Sequence, residues 1–156
     1  MAMIDLSEQL DDIRARYPQW WNSDEATREL QALWGNPACN DCGVFSDCER
    51  ISIALPGNAR WNAAVKLSAA PNGWHAFATT YAYPLGGGSS PVSVWNRTAY
   101  TTRDEALRAG IDELIRTFEG VRDASGYRPA SQSADASRMI EELRNHLSQV
   151  RQLTLF

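Results

Sequence analysis

Residues 51–83 read ISIALPGNARWNAAVKLSAAPNGWHAFATTYAY, and this stretch decides the fold. It holds three runs of apolar and aromatic residues, separated by the turn signals PG at 56–57 and PNG at 71–73. In the middle run, apolar residues alternate with Asn62, Ala64, Lys66 and Ser68, which is the pattern of a half-buried strand. The runs predict three consecutive strands, at Ile51–Leu55, Trp61–Ser68 and Trp74–Tyr83.

The flanking residues extend this core in both directions. The run Gly86–Gly88 is typical of a flexible hairpin tip, and it leads to a fourth predicted strand at Val92–Trp95. Apolar residues at helical spacing predict two helices before the sheet and one after it, the last opening with a capping box at Thr102 and Glu105. The predicted fold is α+β, with an antiparallel sheet of about four strands packed against helices. The three helices are expected at Asp5–Tyr17, from Ser23 to Gly35, and from Thr102 to a stop at Gly120.

Composition divides the rest of the chain. Residues 1–120 form the predicted α+β body, and residues 121–136, rich in Ser, Ala, Asp and Arg, have the composition of a linker. A C-terminal helix is predicted at residues 137–151, because Met139, Ile140, Leu143, Leu147 and Val150 fall on one face. Residues 152–156 remain as a tail.

Charge and hydropathy narrow the class of protein. Hydrophobic residues make up 44% and charged residues 22%, as in an ordinary globular protein. No apolar run approaches the length that crosses a membrane, and an acid at Asp5 opposes a secretory signal, so we expect a cytoplasmic protein. The net charge is -4, and nothing in the sequence resembles the basic stripe that supplies non-specific DNA affinity. If the protein reaches DNA, a protein partner is expected to bring it there.

The last five residues are Gln152, Leu153, Thr154, Leu155 and Phe156. They resemble the peptide by which bacterial DNA polymerases, mismatch-repair proteins and other clients bind the sliding clamp, of the form Gln-Leu-(small or acidic)-Leu-Phe. The resemblance covers these residues alone, and only threonine departs from the commonest choices. Four matched positions would coincide by chance on the order of once in 10⁵ sequences.

The resemblance implies a role for each side chain. The Leu155-Phe156 pair would fill an apolar pocket of the clamp, and the amide of Gln152 would fix the register at its rim. Leu153 would add a second apolar contact. The competing interpretation is that the apolar tail packs back on the body; an apolar tail left in water would be a liability unless something binds it.

The three cysteines, Cys39, Cys42 and Cys48, have the spacing C-x2-C-x5-C. Three interpretations stay open: free structural thiols, a redox C-x-x-C pair, and a zinc or iron–sulfur site. A tetrahedral site needs a fourth ligand, for which Asp41, Asp47 and His75 are the candidates. The spacing is similar to part of the iron–sulfur region of WhiB-type regulators, but the earlier cysteine and the glycine-tryptophan turn of that family are absent.

Aromatic residues concentrate in the predicted sheet, and aromatics on an open sheet can stack on nucleic-acid bases. Tyr81 and Tyr83, with Arg60 and Arg97 near strand ends, are the candidates for such contacts; the alternative is a Trp-rich core. No nucleophile–base pair, paired acids or phosphate-binding loop is recognisable, so no catalytic residue is assigned and a non-enzyme is expected.

These observations lead to one hypothesis and one alternative. The hypothesis is a non-enzymatic accessory or regulatory protein of DNA replication or repair, encoded by a mobile element, that binds the sliding clamp through residues 152–156. As an adaptor it would recruit a second partner, and as a competitor it would displace other clients. The alternative is a metal-dependent (zinc or iron–sulfur) nucleic-acid-binding or nucleic-acid-modifying protein that the clamp only localises.

Overall fold

A computed structural model of the protein describes residues 3–126 and 128–153, with the backbone alone at residues 152 and 153. The fold is mixed α+β, as predicted. Within these residues six strands form one antiparallel sheet, in place of the four expected, with the order β1-β6-β4-β3-β2 and with β5 paired to β4. The elements in chain order are β1 (Met3–Asp5), α1 (Ser7–Arg16), a 3₁₀ turn (Trp20–Asn22), α2 (Asp24–Leu33), β2 (Glu49–Leu55), β3 (Asn58–Ala69), β4 (His75–Tyr83), β5 (Gly86–Ser89), β6 (Thr98–Tyr100), α3 (Arg103–Arg122) and α4 (Gln132–Leu153).

Of the four predicted strands, the first three are confirmed as β2, β3 and β4. The prediction of a strand at Val92–Trp95 is wrong, since this segment holds only an isolated bridge and a turn. Val92 and Val94 are nevertheless buried, and the Val94 amide donates to the carbonyl of Gly43 at 3.0 Å. Val92 and Val94 are thus buried in alternation without a strand, because the loop that contains Gly43 holds this segment in place.

The helix starts follow the capping chemistry. Asp5 lies in β1 instead of a helix, and its carboxylate accepts a hydrogen bond from the Ser7 amide at 2.9 Å, so that α1 begins there. Ser23 caps α2 as predicted by accepting from the Ala26 amide at 3.2 Å. Before α3, the Thr102 hydroxyl accepts from the Glu105 amide at 3.3 Å, which is the hydroxyl half of the predicted capping box.

The glycine run is a strand, not a flexible tip. In β5, Gly88 pairs with Tyr81 and Gly86 pairs with Tyr83. A Cβ atom at Gly88 would lie 2.9 Å from the Tyr81 ring, and one at Gly86 would lie 2.8 Å from the Tyr83 hydroxyl. At Gly87 it would lie 2.7 Å from the Tyr81 carbonyl oxygen. The glycines therefore serve the close approach of two tyrosine rings and a neighbouring backbone.

Alanine at two glycines should change stability in opposite directions. Gly87→Ala is expected to destabilise by about 1–3 kcal/mol, because the new methyl group meets a backbone atom that cannot rotate away. Gly120→Ala is expected to stabilise by about 0.5–1 kcal/mol, since this residue lies inside α3 with open space around a Cβ atom. Urea denaturation of both variants measures the effects, and a shift of the same sign for both would contradict the explanation.

The chain divides into two compact units. The first, residues 3–49, 66–78 and 91–106, is built around Trp34. Its indole nitrogen donates to the Val94 carbonyl at 3.2 Å, and its ring contacts Phe45 and Trp74 edge-on. The rest of this core comes from both early helices, the later loops and the strands, including Leu6, Leu10, Ile13, Ala26, Leu30, Ala70, Ala76, Ala78, Val92 and Ala99.

The second unit comprises residues 50–65, 79–90, 107–126 and 128–153. It contains α4 and the part of α3 from Leu107 onwards, and these two helices take residues from both ends of the predicted linker. The segment between the two helices is therefore residues 123–131, shorter than the 121–136 expected, and α4 is longer than the predicted 137–151. Gln132 and Ala136, assigned by composition to the linker, are buried. No helix in the described part of the chain is long and apolar enough to cross a membrane.

Candidate functional site

The clamp-like peptide begins inside α4. This helix buries one face, made of residues at helical spacing: Ala136, Met139, Ile140, Leu143, Leu147 and Val150. It continues through Gln152 and Leu153, which are the first two residues of the peptide. Thr154, Leu155 and Phe156 lie outside the described residues. The described part of the peptide is thus a direct continuation of a packed helix.

The cysteine-bearing loop is organised by asparagine and glycine. The Asn40 carboxamide oxygen accepts from the amides of Cys42 at 2.9 Å and Val44 at 3.0 Å. Gly43 has φ of 80°, and a Cβ atom there would lie 2.7 Å from a methyl group of Val94. The C-x-x-C spacing therefore falls on a tight turn that closes on itself through Asn40.

The thiols differ in environment. Cys39 is half-buried, whereas Cys42 and Cys48 are exposed, and all three are free. Within residues 3–126 and 128–153, no three His, Cys, Asp or Glu side chains are grouped so that they could hold a metal ion. The proposed fourth ligands Asp41, Asp47 and His75 are included in that range. The residues present do not fit a zinc or iron–sulfur site, and the metal interpretation gains no support.

Thiol reactivity should follow these environments. At pH 8 we expect Cys42 and Cys48 to react with a thiol reagent at least about tenfold faster than Cys39. Burial raises the pKa of the Cys39 thiol and outweighs a hydrogen bond with Gln31, so less thiolate forms there. Mass spectrometry of the labelled sites measures the rates, and protein unfolded in urea is the control in which the three rates converge. Strong protection of all three thiols would instead revive the metal interpretation.

The two tyrosines proposed for base stacking pack mainly against other aromatics. Tyr81 and Tyr83 stack nearly parallel, with ring centroids 6.4 Å apart. Tyr81 also meets Phe118 edge-on at 5.8 Å, and Tyr83 lies 5.5 Å from Trp61. Since both tyrosines are half-buried in this cluster, the aromatic-core interpretation accounts for them. Nucleic-acid binding by these rings stays a prediction.

The two arginines proposed beside them belong to different units. Arg60 is exposed in the second unit and makes no hydrogen bond or ion pair with the described residues. Arg97 lies in the first unit, where its guanidinium contacts the Asp11 carboxylate at 3.2 Å. His75, the strand histidine, is half-buried and pairs in register with Tyr100. The structure does not give these residues a common chemical role.

Two further features escaped sequence reasoning. A cavity of about 270 Å³ in the second unit is lined by the exposed Arg60, the buried Trp61 and residues from the start of α4. In the first unit, the Arg14 guanidinium lies 4.2 Å from the Trp20 ring centre, and Trp21, which is 68% exposed, packs edge-on against Trp20. The paired tryptophans are visible in the sequence, but only the fold shows which of the two is exposed.

Comparison with protein-family models, with curated proteins and with solved structures yields no match. The function therefore has to be argued from the chain's own residues. Among the candidate sites, residues 152–156 carry the most specific pattern, since the cysteines do not group and the tyrosines are explained by packing.

Proposed function

We propose that this protein is a non-enzymatic accessory or regulatory protein that binds the bacterial sliding clamp through Gln152–Phe156. The observation that carries the proposal is the sequence QLTLF at residues 152–156, which matches the clamp-binding peptide at four positions. Through the clamp the protein acts at replicating or repaired DNA, in the cytoplasm, as a product of a mobile element.

The charge of the chain supports recruitment through a protein. With a net charge of -4, the chain lacks the excess of cations that holds most DNA-binding proteins on the phosphate backbone. A short apolar peptide does not depend on that excess. Because ordering a short peptide costs entropy, the expected affinity for the clamp is micromolar.

The function of the body distinguishes two versions of the proposal. As an adaptor, the body recruits a second protein or touches DNA beside the clamp. As a competitor, the body only carries the peptide, which displaces polymerases from the pocket they share. Overproduction of a competitor should stall replication even when an unrelated domain replaces the body.

A pull-down from the host with the intact chain, and with the chain lacking residues 152–156, tests the proposal. Capture of the clamp by the intact chain alone is the expected result. A second partner kept by the shortened chain would identify an adaptor, whereas the clamp as sole partner would identify a competitor. Absence of the clamp from both samples would contradict the proposal.

A further inference from the structure

The distance between the packed part of α4 and the peptide is very short. Leu147 and Val150 are 8% and 9% exposed, so the helix is anchored almost to its end. Arg151 alone separates Val150 from Gln152, and the backbone is still helical at Leu153. One residue spans at most about 3.6 Å even when extended. A pocket that holds the peptide must therefore lie close to the last turns of α4.

The exposed face of these turns is polar and free of acids. We call it the α4 end face, made of Arg144, Asn145, Ser148, Gln149 and Arg151, all of which are exposed. Residues 143–153 include two arginines and His146 but no Asp or Glu. The acids of the helix, Asp135, Glu141 and Glu142, all precede this segment. A chain with a net charge of -4 thus places beside its peptide a segment that holds arginines and no acid, the exposed Glu141 lying one turn before Arg144.

The helix dipole explains only part of this arrangement. Cations near a helix C-terminus are stabilised by the exposed carbonyl groups, but the effect falls off within the last turn. Arg151 lies within that turn of α4, whereas Arg144 lies more than two turns from the end at Leu153. Arg144 makes no hydrogen bond or ion pair with the described residues. Its charge is therefore available to a partner.

We propose, on the basis of the clamp-binding function above, that the α4 end face forms a second contact with the sliding clamp, on an acidic patch beside the peptide pocket. The clamp is the expected partner because the connection between α4 and the peptide is short. When the peptide occupies its pocket, α4 must lie against the clamp surface around that pocket. The patch is expected to be acidic because the α4 end face holds arginines and no acid.

The test compares charge reversal at two exposed arginines of the full-length chain. Binding to purified clamp, without DNA, is measured for Arg144→Glu and for Arg116→Glu, a matched control on α3 that also has no described partner. Arg144→Glu is expected to weaken binding roughly fivefold at low salt, and the loss should shrink as salt is raised. Arg116→Glu should bind like the parent.

A second variant tests the short connection. Inserting Gly-Ser-Gly-Ser between Arg151 and Gln152 should leave the peptide able to bind but should remove most of the sensitivity to Arg144→Glu. Equal binding by the two arginine variants, an undiminished effect after the insertion, or an effect of Arg144→Glu seen only on DNA-loaded clamp would overturn this inference and leave the proposed function standing. Failure of the parent chain to bind the clamp would overturn the proposed function itself.

Discussion

Replacing Leu155 and Phe156 together by alanine is expected to weaken binding to purified sliding clamp by at least a hundredfold. Burying each of these side chains is worth about 1.5–3 kcal/mol, so the pair contributes roughly 3–6 kcal/mol, or about two to four orders of magnitude in Kd. From a micromolar starting affinity, the variant should show no binding at accessible concentrations. Titration calorimetry or surface plasmon resonance measures the loss.

The control for this change is an exposed leucine elsewhere. Leu85→Ala, at a residue that is 55% exposed, should bind the clamp like the parent. The melting temperature of the tail variant should equal that of the parent, because a peptide that serves to bind a partner contributes little to the free energy of unfolding. A lower melting temperature would favour the interpretation in which the tail packs on the body, and undiminished binding would exclude the peptide as the clamp ligand.

The second large effect concerns the second unit. Trp61→Ala should destabilise the protein by about 3–5 kcal/mol, because the indole is 1% exposed and contacts the rings of Tyr83 and Phe118. For a chain of this size, that loss should lower the melting temperature by roughly 6–20 °C. Thermal unfolding followed by circular dichroism is the measurement.

Trp21→Ala provides the matched control, since the same atoms are removed from a side chain that is 68% exposed. Its ring touches Trp20 edge-on, so a loss of about 1 kcal/mol or less is expected. Similar losses at the two tryptophans would mean that Trp61 does not occupy the packed position described.

The middle of the sheet could be predicted from sequence because its pattern is local. β2, β3 and β4 carry apolar residues between strong turn signals. β1 and β6 have three residues each, too few for a period to be recognised, and they exist because they pair with each other. β5 consists of glycines and one serine, which oppose strand formation, and only pairing with Tyr81 and Tyr83 along β4 makes it a strand.

The overlap of the predicted linker with α3 and α4 has the same origin. Ser, Ala, Asp and Arg are common in linkers, but alanine and arginine are also good helix formers, and composition cannot decide between the two. Burial of Gln132 and Ala136 decides it in favour of α4. The burial of these two residues depends on contacts with other parts of the chain, so the sequence of the segment alone does not show it.

The candidate sites differ in how much of each could be predicted from the sequence. The resemblance of residues 152–156 to a clamp-binding peptide can be seen without a fold, because it rests on five consecutive residues. The cysteine spacing fitted several chemistries, and only the fold could show that, among the described residues, no three His, Cys, Asp or Glu side chains are grouped to hold a metal ion. The packing of Tyr81 on Phe118 brings together residues far apart in sequence, so no local pattern could reveal it.

Four of the five boundaries between the two units fall inside a strand or a helix, after Glu49 in β2, Val65 in β3, Ala78 in β4 and Ala106 in α3. Each unit is therefore assembled from several separate pieces of the gene, and no single cut in the chain releases either of them whole. A fusion or recombination event that moves only one end of the gene therefore cannot transfer α4 together with the rest of its unit. Evolution can transplant the short peptide freely, but the two units have to be inherited together.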